Sequence, residues 1–297
     1  MRRVTGRDVY GKPPGRRPRA HTGISRRALF GFRLTSSARR DIDWDALTDR
    51  VRAGWERDGH APLLRALEPV AGVVAELAGT GPGTRVLDVG AGDGNLALAA
   101  ARRGASVEAC DLARAMVERG RERCAGRGIE WRVADVQELP YPSGEFDAVL
   151  STFGASEAPR AERVARELVR VARPGGVVAI AAWVPRGLPG RVDELVAPYL
   201  ALPDGVPPPS EWGRQPVARA RLAPHLDELQ LLTRTVPLRF PTAEAFFDAL
   251  LRPLPLAPHE RDALRPGLER VLASCNNRPP EVEVSGRYLI SLGRRAP

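Results

Sequence analysis

Apolar positions recur with different periods in different stretches of the chain. From Asp41 onward Trp44, Leu47, Val51 and Trp55 follow helical spacing, and Leu63, Leu64, Leu67, Val70, Val74 and Leu77 do so again. That spacing predicts two helices broken around Gly59–Pro62. Beyond Thr84, short apolar runs alternate with helical patterns. Arg85–Val89, Ser106–Asp111, Ile129–Ala134, Phe146–Thr152 and Val177–Trp183 read as strands, separated by helices over Leu96–Arg103, Ala113–Cys124 and Ala161–Ala172. Buried runs joined by helices of about ten residues mean βαβ units and a parallel sheet. The Arg173-Pro174-Gly175-Gly176 turn is expected to stop the last of these helices.

The period is then lost. Residues 185–224 hold nine prolines in forty positions, with Tyr199 and Trp212 among them, and read as a long irregular insertion that serves as a lid or binding loop. Order returns with a strand at Leu229–Phe240, helices near Ala243–Leu251 and Pro258–Ala273, and a terminal strand at Gly286–Leu292. No internal repeat is present.

Charge changes the picture at one end. Of 45 basic and 36 acidic residues in the 297-residue chain, residues 1–40 hold twelve basic groups and the single acid Asp8. The rest is nearly neutral, so residues 1–40 read as a flexible basic arm, 41–80 as a helical cap and 81–297 as the main domain. Lys12 in the arm is the only lysine, which removes chemistry that needs a buried one, including a Schiff base or a Walker A loop. Cys110, Cys124 and Cys275 lie far apart, and His21, His60, His225 and His259 are isolated, so no disulfide framework and no metal site is expected. No apolar run is long enough to span a membrane, and Arg33, Arg39 and Arg40 interrupt the stretch behind the twin arginines Arg26-Arg27. A cytoplasmic protein is expected.

The chemistry concentrates after the first strand, in Val86-Leu87-Asp88-Val89-Gly90-Ala91-Gly92-Asp93-Gly94-Asn95. Gly90, Gly92 and Gly94 allow a tight turn and the approach of a ligand to the main chain, and Asp93 is placed to cap the following helix. Asn95 stands where a dinucleotide fingerprint needs glycine. Asp111 ends the second strand, where a carboxylate can accept both hydroxyls of a ribose, and Asp135 ends the third, where it can accept an adenine amino group. Asp88, Asp111 and Asp135 thus line the carboxyl edge of one sheet, a rim suited to a cationic, ribose-bearing ligand. A lesser alternative is that Asp88 caps the neighbouring helix, and the same hydrogen bonding could do both jobs.

Over roughly residues 45–240 the sequence resembles the class I S-adenosylmethionine-dependent methyltransferases: strand-DVGAGDG, the second-strand Asp, VADVQELPYPSGEFDAVLS and RPGG follow in family order. The resemblance implies an α/β, Rossmann-like, doubly wound and mostly parallel seven-stranded sheet with an N-terminal helical cap and a Pro-rich insertion over 185–224. It implies S-adenosylmethionine as cofactor, with Asp88 and Gly90 toward the methionine portion, Asp111 at the ribose, Asp135 with Val136 at the adenine, and Gly92 and Leu112 also in the cofactor site. Ser151, Thr152 and Phe153 would sit beside the methyl-bearing sulfonium.

The stretch from Ala182 to Gly213 is similar to a small-molecule branch of the family, which implies a small-molecule acceptor such as a natural product. Trp55, Phe153, Trp183 and Trp212 are then expected to line its apolar pocket. Where relatives carry an apolar pair after the fourth strand this chain has Ser156-Glu157, a departure on the acceptor side. His60, Glu157 and His225 are candidate general bases by placement alone. The alternatives are an RNA or peptide methyltransferase that uses the basic arm for docking, the arm also being a candidate contact for a second copy, and a non-catalytic subunit that keeps the cofactor.

Overall fold

The structure, a computed structural model, describes residues 42–200, 202–252, 254 and 256–297, and the basic arm lies outside them. Helices α1 (Trp44–Trp55) and α2 (Ala61–Leu77) come first. The Asp43 carboxylate caps α1 by accepting the Ala46 N–H at 2.9 Å, and Pro62 opens α2 where its missing N–H costs nothing. The alternating part follows as β1 (Arg85–Val89), α3 (Asn95–Arg102), β2 (Ser106–Asp111), α4 (Arg114–Arg123), β3 (Glu130–Val133), β4 (Phe146–Thr152), α5 (Ala161–Val171) and β5 (Ala172–Trp183). After it come α6 (Leu188–Leu200), α7 (Gln215–Leu222), β6 (Leu226–Phe240), α8 (Ala243–Leu251), α9 (Pro258–Ala273) and β7 (Val282–Arg295).

The seven strands form one sheet in the order β3-β2-β1-β4-β5-β7-β6, parallel except for β7, which runs antiparallel to both its neighbours. This is the Rossmann-like, doubly wound arrangement the sequence implied. Burial alternates with period two, as a sheet covered on both faces requires. Along β5, Ala179 and Ala181 face one core while Val178, Ile180 and Ala182 face the other. The first core is completed by α2, α3, α6, α8 and α9, and the second by α5 and α7. None of the described helices is long and apolar enough to cross a membrane.

The structure departs from the expected pattern in three places. The stretch 185–224 is not irregular: it contains α6, a 3-10 turn at Pro209–Gly213 and α7. Pro189 and Pro216 stand in first turns, where a helix tolerates proline, so a high proline count did not exclude helix. The Arg173–Gly176 turn lies inside β5 as a bulge, because Ala172 already pairs with Phe146 and the ladder resumes at Ala148 and Val177. The terminal strands are longer than their apolar cores, since β6 and β7 pair from Leu226–Arg295 to Phe240–Val282 as one ribbon.

Candidate active site

The sheet order reverses between β1 and β4, and the loops leaving those two strands meet there. Gly90 adopts φ +64°, and a Cβ on it would lie 2.7 Å from the Gly154 Cα. A Cβ on Gly154 would in turn lie 2.2 Å from the Gly90 carbonyl oxygen. Main chain therefore touches main chain, which only two glycines permit. Phe153 makes the turn that brings Gly154 there, at φ +67°, a strained conformation for an aromatic residue. Its ring is held by stacking on Trp183 at 4.2 Å.

The strand-end acids do different work. Asp88 is fully buried on the α3 side of β1, where its Oδ2 accepts the Ala97 N–H at 2.8 Å and its Oδ1 has no partner. Burial, with the nearby charge of Asp111 adding to it, pushes its carboxyl up to about 8, so it is largely protonated at neutral pH. Asp111 spans two loops: its Oδ2 accepts the Gly92 N–H at 2.8 Å and its Oδ1 the Ala113 N–H at 2.9 Å. Burial raises it to about 6, and those two donors act in the opposite sense. Asp135 accepts the Gln137 backbone N–H at 2.8 Å, while the Gln137 side-chain amide donates to both Asp135 oxygens and to the Thr48 hydroxyl on α1.

Above these loops lies a cavity that opens to solvent. Its floor is Gly90–Gly92, Asp111–Leu112, Ala134–Gln137 and Thr152–Gly154; its roof is Thr48, Val51 and Trp55 of α1 with Leu63, Leu64 and Leu67 of α2. Glu157 and Trp183 also line it. Three carboxyl groups, Asp111, Asp135 and Glu157, face the space, and among the described residues no arginine or lysine lines it. A second, more open cavity adjoins it, sharing Val51, Trp55 and the Glu157–Pro159 segment.

The structure thus brings together Gly90, Gly92, Asp111, Leu112, Asp135, Val136, Phe153, Trp55, Trp183 and Glu157. It does not bring Asp88, Ser151, Trp212, His60 or His225 to the wall. Asp88 sits beneath the loop as a tie to α3, and Ser151 is buried with its Oγ accepting the Ala155 N–H at 2.9 Å. Trp212 is 2% exposed in the second core, under the Arg221 guanidinium, because its 3-10 turn packs flat on β5 on the sheet's other face. His60 is buried behind Trp55, with ring centres 4.7 Å apart, and burial lowers its basicity. His225 stands at the opposite end of the sheet, beside Leu226, which pairs with Arg295 near the start of β5. Asp93 does not cap α3: Gly94 holds that position, and Asp93 pairs with Arg123 at 2.8 Å.

Sequence reasoning missed Thr48 and Gln137, which fasten α1 to the strand-end loops, and Glu56, whose carboxylate accepts the Arg114 and Ala115 N–H groups at the start of α4. Thr48 had a signal: it shares the helical face of Val51 and Trp55 at i, i+3 and i+7.

A methyltransferase-domain family model (Methyltransf_11) matches residues 87–180. The uncharacterised protein Rv1405c of Mycobacterium tuberculosis is 36% identical over 217 residues, covering 70% of this chain and 79% of that one. Methyltransferase GfsG of Streptomyces halstedii is 37% identical over 147 residues, 47% of this chain and 53% of its own. The YcgJ protein of Bacillus subtilis superposes with a TM-score of 0.55 at 19% identity, over 76% of this chain and 98% of its own. The chain belongs to the class I S-adenosylmethionine-dependent methyltransferases.

Proposed function

We propose that the protein transfers a methyl group to a small hydrophobic molecule, with the donor bound over the strand-end loops and the acceptor entering beneath α1. The carrying observation is the large cavity at the carboxyl ends of β1, β2, β3 and β4, faced by three carboxyl groups and, among the described residues, no cation. A sulfonium ligand suits such a wall and a polyanion does not. The methyltransferase-domain match and the similarity to GfsG support a methyltransferase.

The residues fit the donor. Gly90 and Gly92 line the space with main chain at positive φ, where no Cβ blocks a ligand's approach. Asp111 uses one lone pair of each oxygen on the Gly92 and Ala113 N–H groups and keeps the others for the ribose hydroxyls. Val136 and Asp135, the latter oriented by Gln137, hold the adenine. When bound, S-adenosylmethionine supplies a methyl group on a positively charged sulfur, already activated for displacement. The chain's contribution is alignment and the exclusion of water: Phe153, stacked on Trp183, fixes the floor, and Trp55 with Leu63 and Leu64 covers it.

In this reading residues 41–80 are the cap that roofs the site, and the part of the 185–224 insertion around Leu202–Pro209 walls the acceptor side. The three free thiols accord with a cytoplasmic enzyme. An RNA acceptor would call for a cationic groove at the donor's methyl, which the carboxyl-lined wall does not offer. The test is calorimetry with S-adenosylhomocysteine. The full chain is expected to bind it in the micromolar range, and Asp111→Asn about tenfold or more weaker, since the ribose loses charge-assisted acceptors. Equal affinity in the variant would remove Asp111 from the ribose.

A further inference from the structure

Among the described residues, Glu157 is the one charged residue that lines both cavities. It ends the 3-10 turn Gly154–Glu157 that follows β4, so the loop that meets Gly90 also carries this carboxyl to the junction of the two spaces. Most of the second cavity is apolar: Leu47, Leu200, Leu202, Val206, Pro207 and Leu254. Among the described residues its one lining cation is Arg50, which donates to the Leu200 carbonyl at 2.5 Å. Among the described residues, no cation pairs with Glu157 and no donor satisfies its carboxyl. Glu157 is half-buried where the polar wall of the first space meets the apolar wall of the second, without a partner among the described residues that would compete with a ligand for its carboxyl.

We propose that Glu157 is the general base of the transfer and that the second cavity takes the hydrophobic body of a phenolic or enolic acceptor. The proposal rests on the reading above, in which the first cavity holds the methyl donor. The acceptor oxygen forms its bond to the methyl carbon while its proton passes to a Glu157 carboxylate oxygen; the carbon–sulfur bond breaks and its electron pair goes to sulfur. A carboxylate and a sulfonium enter, and a carboxylic acid and a thioether leave, so two opposite charges vanish in a space of low polarity. A cationic amine would add a charge there instead.

The neighbourhood agrees. Apolar surroundings, with the charge of Asp193 on α6 second, push the Glu157 carboxyl up to about 7, where a base is matched to an acidic hydroxyl. The other charged groups that face it across the two spaces are Asp111, Asp135 and Arg50.

The experiment uses the full chain saturated with S-adenosylhomocysteine and three probes of one shape: 2-naphthol, 2-naphthylmethylamine and 2-methylnaphthalene, measured by equilibrium dialysis. The wild type is expected to bind 2-naphthol about tenfold more tightly than Glu157→Gln does, with 2-methylnaphthalene unchanged between them. With S-adenosylmethionine, methylation of 2-naphthol is expected to fall about a hundredfold in the variant, and less for the more acidic 6-cyano-2-naphthol, which needs less help to ionise. The proposal is overturned if Glu157→Gln binds 2-naphthol as tightly, if the amine gains more from Glu157 than the naphthol does, or if the wild type binds no probe. S-adenosylhomocysteine binding separates the failures: retained in both proteins, it leaves the donor site standing, and absent from the wild type, it removes the reading on which the base depends.

Discussion

The floor and the roof of the first cavity are built from different materials. On the floor, main chain meets main chain at Gly90 and Gly154, and Asp111 and Asp135 are tied to N–H groups of adjoining loops. The roof is made of side chains from α1 and α2, mostly apolar, and reaches the floor through a few bonds: Thr48 to Gln137, Glu56 to the start of α4, and Leu64 O to the Asn95 amide. A floor held by obligatory backbone geometry suits a ligand whose polar groups never vary. A roof of exchangeable side chains suits one whose shape does.

The largest effect is expected from Gly154→Ala. Its Cβ would lie 2.2 Å from the Gly90 oxygen, backbone against backbone with nothing flexible to yield, and calorimetric scanning is expected to find no cooperative unfolding transition. A normal transition would show that the floor can give way.

Trp212→Ala comes next. Buried in the second core, it is expected to cost about 3–5 kcal/mol in denaturant titration while leaving cofactor and acceptor affinity of the folded fraction unchanged. Trp55→Ala, on both cavity walls, is expected to do the reverse: acceptor affinity falls more than stability. A selective acceptor defect at Trp212 would return that residue to the wall.

A smaller effect lies in the pH dependence. Burial raises Asp88 from 3.8 to about 8 and Asp111 from 3.8 to about 6, so the unfolded chain releases those protons first. The stability they contribute is complete below about pH 4 and is lost as pH rises, through about 6 for Asp111 and about 8 for Asp88. Asp147 and Glu167, both lowered, act oppositely and only at the acid end. The melting temperature is expected to decline from pH 6 to 8, and Asp88→Asn, which keeps an acceptor for the Ala97 N–H, to flatten that decline. An unchanged slope in the variant would mean that Asp88 is ionised in the fold.

Least is expected from Thr48→Val, which removes the hydroxyl that accepts the Gln137 amide at 3.0 Å. About 1 kcal/mol of stability should go, with S-adenosylhomocysteine affinity within about twofold, because Asp135 keeps the rest of its bonds. A larger loss of affinity would make the roof part of the donor site.

The floor was the legible part. Strand boundaries at Arg85–Val89 and Ser106–Asp111, the glycines and the acids all fall within one continuous pattern, because strand period and turn chemistry are local properties. The roof contacts are not local: Thr48 finds Gln137 across 89 positions, and the second cavity joins α1 to a proline-rich stretch. Trp212 was misjudged for a related reason. Sequence proximity to the acceptor side says nothing of which face of the sheet a short turn will cover, and 3-10 geometry turned it to the far one. Asp88 shows the opposite limit: its place near the carboxyl end of β1 is legible, but its carboxyl is tied to the Ala97 N–H of α3 and does not line the cavity.

The paired glycines also constrain how this molecule can change over generations. Neither can gain a side chain alone without main chain having to move, and a double replacement would have to pass through one such clash. Inheritance therefore has little freedom to vary the floor. Novelty can enter through the roof and the adjoining wall, at Val51, Trp55, Glu157 and Leu202, where one codon can alter the company the site keeps while the donor stays where it is.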